Sequence, residues 1–209
     1  MADYTRGTSN NIIVGAAAFF MADSTLVPTV TPAFSTSASY RETLSASATY
    51  DNVGYTTNGL EMQFQPDFGE VQVDQILDVA KLYKQGMQVS VATAFAEATL
   101  ENLLLALAGN NDDLTGTKSS STGRILDLSA GDIGECPVER GLVAVGPGTG
   151  DCAPTTAIER IYVAYRALSI ENVTVSAKRD EASMFEVSFR LLPNDNASYG
   201  KIVDRSLEA

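Results

Sequence analysis

The stretch VGYTTNGLEMQFQPDFGEVQVDQ, residues 53–75, decides the fold class. Asn58-Gly59 suits a two-residue hairpin turn, because a type I′ turn needs φ > 0 at both central positions and this pair tolerates it best. Beyond it Leu60, Met62 and Phe64 alternate with Glu61, Gln63 and Gln65. Val71 and Val73 alternate with Glu70, Gln72 and Asp74 in the same way. A period of two belongs to a strand with one buried face. The five apolar residues are therefore expected on one face, against the core, and the six polar ones on the other.

Working outward, Val89, Val91 and Phe95 repeat the alternation, and then the period changes. Leu100, Leu103, Leu104 and Leu107 mark a helical stripe, with Thr99 as N-cap and Gly109 just past the end. The spacing predicts a helix over 99–108. Ile76, Val79, Ala80 and Tyr83 also have helical spacing, between Asp74 and Gly86, and predict a short helix over 74–86. Further strands are expected at 124–128, 141–145, 160–168, 172–178 and 183–192, with Lys178-Arg179-Asp180-Glu181 as a hairpin turn. The sum is a mainly β chain: an antiparallel sandwich or barrel with one flanking helix, a long N-terminal arm and long loops. It reads as a single domain over 1–209. Within it, 1–10 forms an N-terminal arm, 22–50 an extended Ser/Thr-rich loop, and 110–155 a possible loop insertion. Fifteen serines and threonines among the first fifty residues carry the loop assignment.

Composition narrows the function. Fourteen basic residues against 26 acidic ones leave a formal charge of −12, which argues against a nucleic-acid binder. The same acidity also keeps a protein soluble. Histidine is absent, which removes the commonest general base and the commonest zinc ligand. Cys136 and Cys152 are not a CxxC pair; they can close a disulfide, or stay reduced in a cytosol. No stretch reaches the roughly 20 apolar residues of a membrane helix. Residues 12–21 (IIVGAAAFFM) resemble a signal-peptide core but lack its basic flank, so a buried strand is expected there.

Candidate chemistry does not survive inspection. GPGTGD (146–151) lacks the Gly-Lys-Ser/Thr ending of a phosphate loop and reads as a turn. NNDD (110–113) lacks the spaced carboxylates of a calcium loop. Glu61, Glu70 and Asp74 offer a conceivable glycosidase-type carboxylate pair, but the chain has no sugar-stacking Trp. The sequons at Asn172 and Asn196 read as accidental. No catalytic, cofactor or metal site is expected, and the protein reads as non-enzymatic. What remains is a polar strand face: Glu61, Gln63, Gln65, Glu70, Gln72 and Asp74. A monomer would merely solvate it; in a ring it would face a lumen or an adjoining subunit.

Residues 53–66 (VGYTTNGLEMQFQP), followed by 70–75 (EVQVDQ), resemble the tail tube proteins of long-tailed, siphovirus-type bacteriophages. In that family a VG-T-x-x-G hairpin leads into an acidic, alternating segment ending in Asp-Gln. TAFAEATLENLLLALAG (93–109) is similar to the family's AEATLENL helix. YRALSIENVTVSAKRDEA (165–182) and FEVSFRLLP (185–193) are similar to its final strands. The ordered set spans roughly 53–109 and 160–205, about half of the chain. Residues 124–155 have no counterpart, and at 74–86 the family implies an extended loop where the spacing predicts a helix. The resemblance implies a β-sandwich subunit forming hexameric rings that stack into a tube through arms and long loops. DNA passes along the tube without specific binding. By the same resemblance the partners are a tape-measure protein, a tail terminator and a distal tail protein, and the location is the virion tail, assembled in the host cytoplasm. The inner tube of a contractile injection or type VI secretion apparatus shares this architecture. A virion decoration or binding module is a reading from a different class.

Overall fold

Phe19, Phe20 and Met21 are wholly apolar neighbours, so alternation in a strand sends them to both faces of a sheet. They form β1 (Ala18–Ala22), and Phe19 through Ala22 are all buried. A strand buried on both faces needs neighbours on both edges and cover above and below. The computed structural model, which describes residues 11–22, 39–116, 123–129, 133–134, 136–149, 158–176, 179–180 and 182–206, supplies both. It is mainly β and antiparallel, consistent with a sandwich carrying a flanking helix.

The main sheet runs β2 (Tyr50–Asn52), β1, β7 (Arg140–Pro147), β8 (Ile158–Ser169), β9 (Phe185–Leu192), β4 (Lys81–Phe95), β3 (Thr56–Val71). β10 (Gly200–Ser206) pairs with β8 as well. β8 holds β7 along one edge, while its other edge changes partner: residues 158–164 take β10, and 166–169 take β9. The sheet therefore forks beside Tyr165, whose N–H donates to the Tyr199 carbonyl at 3.1 Å. Forking lets the sheet fold over itself. Phe19, Met21, Leu142 and Ala144 of one leaf consequently share a core with Val89, Val91, Phe185 and Phe189 of the other.

Two helices cover what the sheet leaves open. α2 (Leu100–Ala106) adds Leu105 and Ala106 to that core. α1 (Tyr40–Ser45) lies on the outer face, where Tyr40 and Leu44 pack on Phe20, Val143, Val145, Ile161 and Val163. Its first turn is held by Glu159, which accepts the Tyr40 N–H at 2.9 Å and the Ser39 hydroxyl. Phe19 and Phe20 are fully buried on opposite faces, each worth about 1.5–3 kcal/mol of burial.

Several expectations change. Asn58-Gly59 turns no hairpin: both residues have positive φ, 65° and 67°, but sit inside the continuous β3. Three β3 residues, 58–60, stand opposite the single Thr93, between the rungs Thr57↔Ala94 and Glu61↔Ala92. The pair that suits a tight turn suits a bulge for the same reason. Thr93 fixes it, its hydroxyl donating to the Gly59 carbonyl at 2.8 Å.

The helix expected over 74–86 is absent. Residues 72–80 form a loop and β4 starts at Lys81. The helical stripe had nothing to bury against, and Ile76 remains 54% exposed. Of the extended loop expected over 22–50, residues 40–45 are helical and 50–52 are strand, while 23–38 lie outside the described residues. The strand expected at 172–178 is not formed over 172–176, and the turn residues Lys178 and Glu181 lie outside the described residues. The strand expected at 124–128 shrinks to a two-residue ladder of β5 (Leu114–Thr115) with β6 (Ile125–Leu126).

Candidate assembly surface

The longest elements make the site. β3 and β4 pair from Thr56↔Phe95 out to Val71↔Lys81. β4 pairs with β9 only as far as Val89↔Leu191. Past that rung the ribbon, residues 65–71 and 81–88 with the loop 72–80, projects beyond the sheet. β3 ends the strand order, so its outer edge has no neighbour among the described residues. Pro66 sits on this strand, and an edge is where a residue without an N–H is tolerated.

Residues paired across the ribbon share a face. Met62 and Phe64 lie opposite Val91 and Val89, which are buried in the core. The same face continues outward through Phe68 and Leu82 after the core has ended. Phe64, Phe68 and Leu82 are 52%, 54% and 59% exposed. The register slip between Asp67 and Phe68 places an extra residue on β4, so β3 alternates without a break. Near the tip the Tyr83 side chain lies across Gly69, where a Cβ would come within 2.5 Å of its ring and of the Gln85 amide, so a larger residue there would displace both.

This register splits the six expected polar residues. Glu61, Gln63 and Gln65 do share one exposed face, opposite Ala92, Ser90 and Gln88. Glu70 lies on the other face, with Phe64 and Phe68, paired with Leu82. Gln72 and Asp74 fall in the exposed loop beyond the strand. Val71, expected with Leu60, stands on the Glu61 face. The two alternating runs are out of phase by one residue, and a single uninterrupted strand puts them on opposite sides. Nothing selects against this, because the outer ribbon is buried on neither face.

The other end of the ribbon meets α2. There Asn102, 4% exposed, donates from Nδ2 to the Val53 and Glu97 carbonyls at 2.8 Å each. Its role is not visible in the sequence, where a polar residue in a leucine stripe looks solvent-facing. Beside it a recess of about 430 Å³ is lined by Val53, Leu104, Leu105, Leu114, Arg124 and Arg140. The Arg140 guanidinium, 2% exposed, donates from Nη2 to the Gly109 carbonyl at 3.0 Å and to Asn111 Oδ1 at 2.6 Å. Arg124 pairs with Glu101.

In the NNDD segment, Asn111–Asp113 form a 3-10 turn rather than a calcium loop, with Asn110 as N-cap and the Asn110 and Asp113 side chains closing a capping box. Among the described residues no three His, Cys, Asp or Glu side chains group as metal ligands. Cys136 is an exposed free thiol, and Cys152 lies outside the described residues. No described helix is long and apolar enough to cross a membrane. No protein-family model matches the chain, and no curated protein matches it.

Proposed function

We propose that the protein is a non-catalytic, ring-forming subunit of the tail tube of a long-tailed bacteriophage, acting by self-assembly to enclose a channel for DNA. The observation that carries this reading is the projecting β3–β4 ribbon. It combines an apolar face continuous with the core and a 16-residue strand whose outer edge meets no other strand among the described residues. A long open edge is a template for another strand, and natural monomers usually blunt such edges. A monomer also has no use for an apolar sheet face left bare. A neighbouring copy answers both needs at once, and repeating the contact around an axis closes a ring.

The reading also takes in the charge. Glu61, Gln63 and Gln65 make a run of polar side chains that tolerates water, and a net −12 suits a wall along which phosphate slides without binding. Sedimentation velocity over a concentration series tests the proposal. Self-association well beyond a dimer is expected as concentration rises; a single monomeric species throughout contradicts it.

A further inference from the structure

The ribbon leaves the sheet at Met87. Val89↔Leu191 is the last rung of β4 with β9, and the same register carried two residues further brings Pro193 opposite Met87. On the β3 side Met87 stands opposite Pro66. Neither proline can donate an N–H to the Met87 carbonyl. A carbonyl drawn into the protein needs a donor, and this one has the hydroxyl of Tyr199, which belongs to neither neighbouring strand. We infer that Tyr199 is a positioning residue whose hydroxyl latches the β3–β4 ribbon in the projecting pose that assembly uses, an inference that rests on the self-assembly reading.

Tyr199 is a fixed post. Its carbonyl accepts the Tyr165 N–H at 3.1 Å, where the sheet forks. The turn before it is closed by Asn194, whose N–H donates to the Ser198 carbonyl at 2.9 Å and whose Oδ1 accepts the Ser198 N–H at 3.0 Å. Its ring and the Met87 side chain both pack against the inner core. Among the described residues this is the outermost hydrogen bond from the body to the ribbon. Further out the bonds stay within the ribbon, as from Gln85 Nε2 to the Tyr83 hydroxyl at 3.0 Å.

The ribbon is pliable just beyond the latch. Gln85 is the extra residue of the register slip, between the rungs Asp67↔Gly86 and Phe68↔Lys84. A bulge interrupts the ladder and bends its strand, and a few such residues suffice for a hinge. At Gly86 a Cβ would meet nothing within 4 Å, so no packing from the body braces that point. At roughly 3.3 Å per residue, the strand from Gly86 out to Lys81 carries the loop about 15–20 Å from the pivot. One hydrogen bond typically changes the ratio of latched to unlatched ribbon about two- to tenfold. Assembly that recruits only the latched pose then needs correspondingly more protein.

The test uses the full chain with Cys136→Ser and Cys152→Ser, spin-labelled at Gln75→Cys in the loop and Glu186→Cys on β9, both exposed positions. Distances are measured by pulsed electron resonance on dilute monomer. Tyr199→Phe keeps the ring and removes only the hydroxyl. With Tyr199 a single narrow distance distribution is expected, and with Tyr199→Phe a broadened and displaced one. The melting temperature should fall by no more than about 4 °C. Tyr83→Phe, which removes a hydroxyl bonded within the ribbon, should leave the distribution narrow. An unchanged distribution in Tyr199→Phe, or equal broadening in Tyr83→Phe, overturns the latch. In sedimentation the unlabelled Tyr199→Phe chain should assemble only at about two- to tenfold higher concentration. Broadened distances with assembly at the wild-type concentration overturn its role in assembly. A wild type that never assembles overturns the self-assembly reading, and the distances still decide the latch.

Discussion

Ala108 shows how much one backbone angle matters. It sits at φ +53°, in the left-handed region, where it closes α2. The Gly109 N–H reaches the Leu104 carbonyl at 3.0 Å, and the Ala108 N–H the Leu105 carbonyl at 3.3 Å. This is the Schellman pattern with alanine at the position glycine normally holds. The sequence points to Gly109 for that role, one residue late, because composition marks the glycine and not the angle. Ala108→Gly should raise stability by about 0.5–1 kcal/mol, read as a higher denaturation midpoint. The same helix gives a graded series. Leu104 is 5% exposed and Leu107 45% exposed, so Leu104→Ala should cost about 2–5 kcal/mol and Leu107→Ala well under half of that. Equal losses would mean that the stripe, centred by sequence on Leu103 and Leu104, faces another way. Asp204 supplies a pH handle. Its carboxylate accepts two hydrogen bonds from Arg160, at 2.6 and 2.7 Å, and the nearby guanidinium holds it below the usual aspartate range. A lowered carboxylate contributes stability above its unfolded value of about 3.9, lost as pH falls through the lower folded value. The pair is largely exposed, so Asp204→Asn should cost less than about 1 kcal/mol at neutral pH and flatten the acid limb of the stability curve.

Among the elements, those legible in sequence are those whose pattern answers to the core. α2 was readable because Thr99 caps it, accepting the Asn102 N–H at 3.2 Å, and its leucines have a core to meet. The inner part of β4 (87–95), β7, β8 and β9 are legible because alternation or unbroken apolar runs report burial directly. The ribbon is not. Its outer half answers to no core, so the phase of alternation slips between Phe64 and Val71 without consequence, and 74–86 mimics a helix. Asn58-Gly59 points to a turn yet forms a bulge, because positive φ serves both alike. β10 carries no strong signal, since Lys201, Asp204 and Arg205 interrupt it, and its place comes from pairing with β8. The ribbon's apolar face yields the prediction at this scale. Phe64→Ser with Phe68→Ser should leave thermal stability within about 1 kcal/mol, because both side chains are more than half exposed. The same pair should sharply weaken self-association by sedimentation. A large loss of stability instead would make these residues part of the monomer's own core.

At the scale of the whole molecule, one sheet forks around β8, buries β1 and β7 on both faces, and sends a two-stranded ribbon outward. Everything pointing to function lies on that ribbon or at its two ends. If its polar face lines a channel, a six-fold ring turns Glu61 into a ring of six carboxylates. Close spacing at a wall keeps such a field alive against a Debye length of about 8 Å. Glu61→Lys should then leave the monomer folded, since Glu61 is exposed, and give assemblies that retain added double-stranded DNA where wild type does not. Glu70→Lys, on the opposite face, should lack that effect. The central claim is that this chain builds a tube. Negative-stain electron microscopy of the purified, concentrated protein tests it most directly: rings with an open centre, or hollow filaments made of them, are the expected image, and a field of monodisperse single particles of about 22 kDa contradicts it.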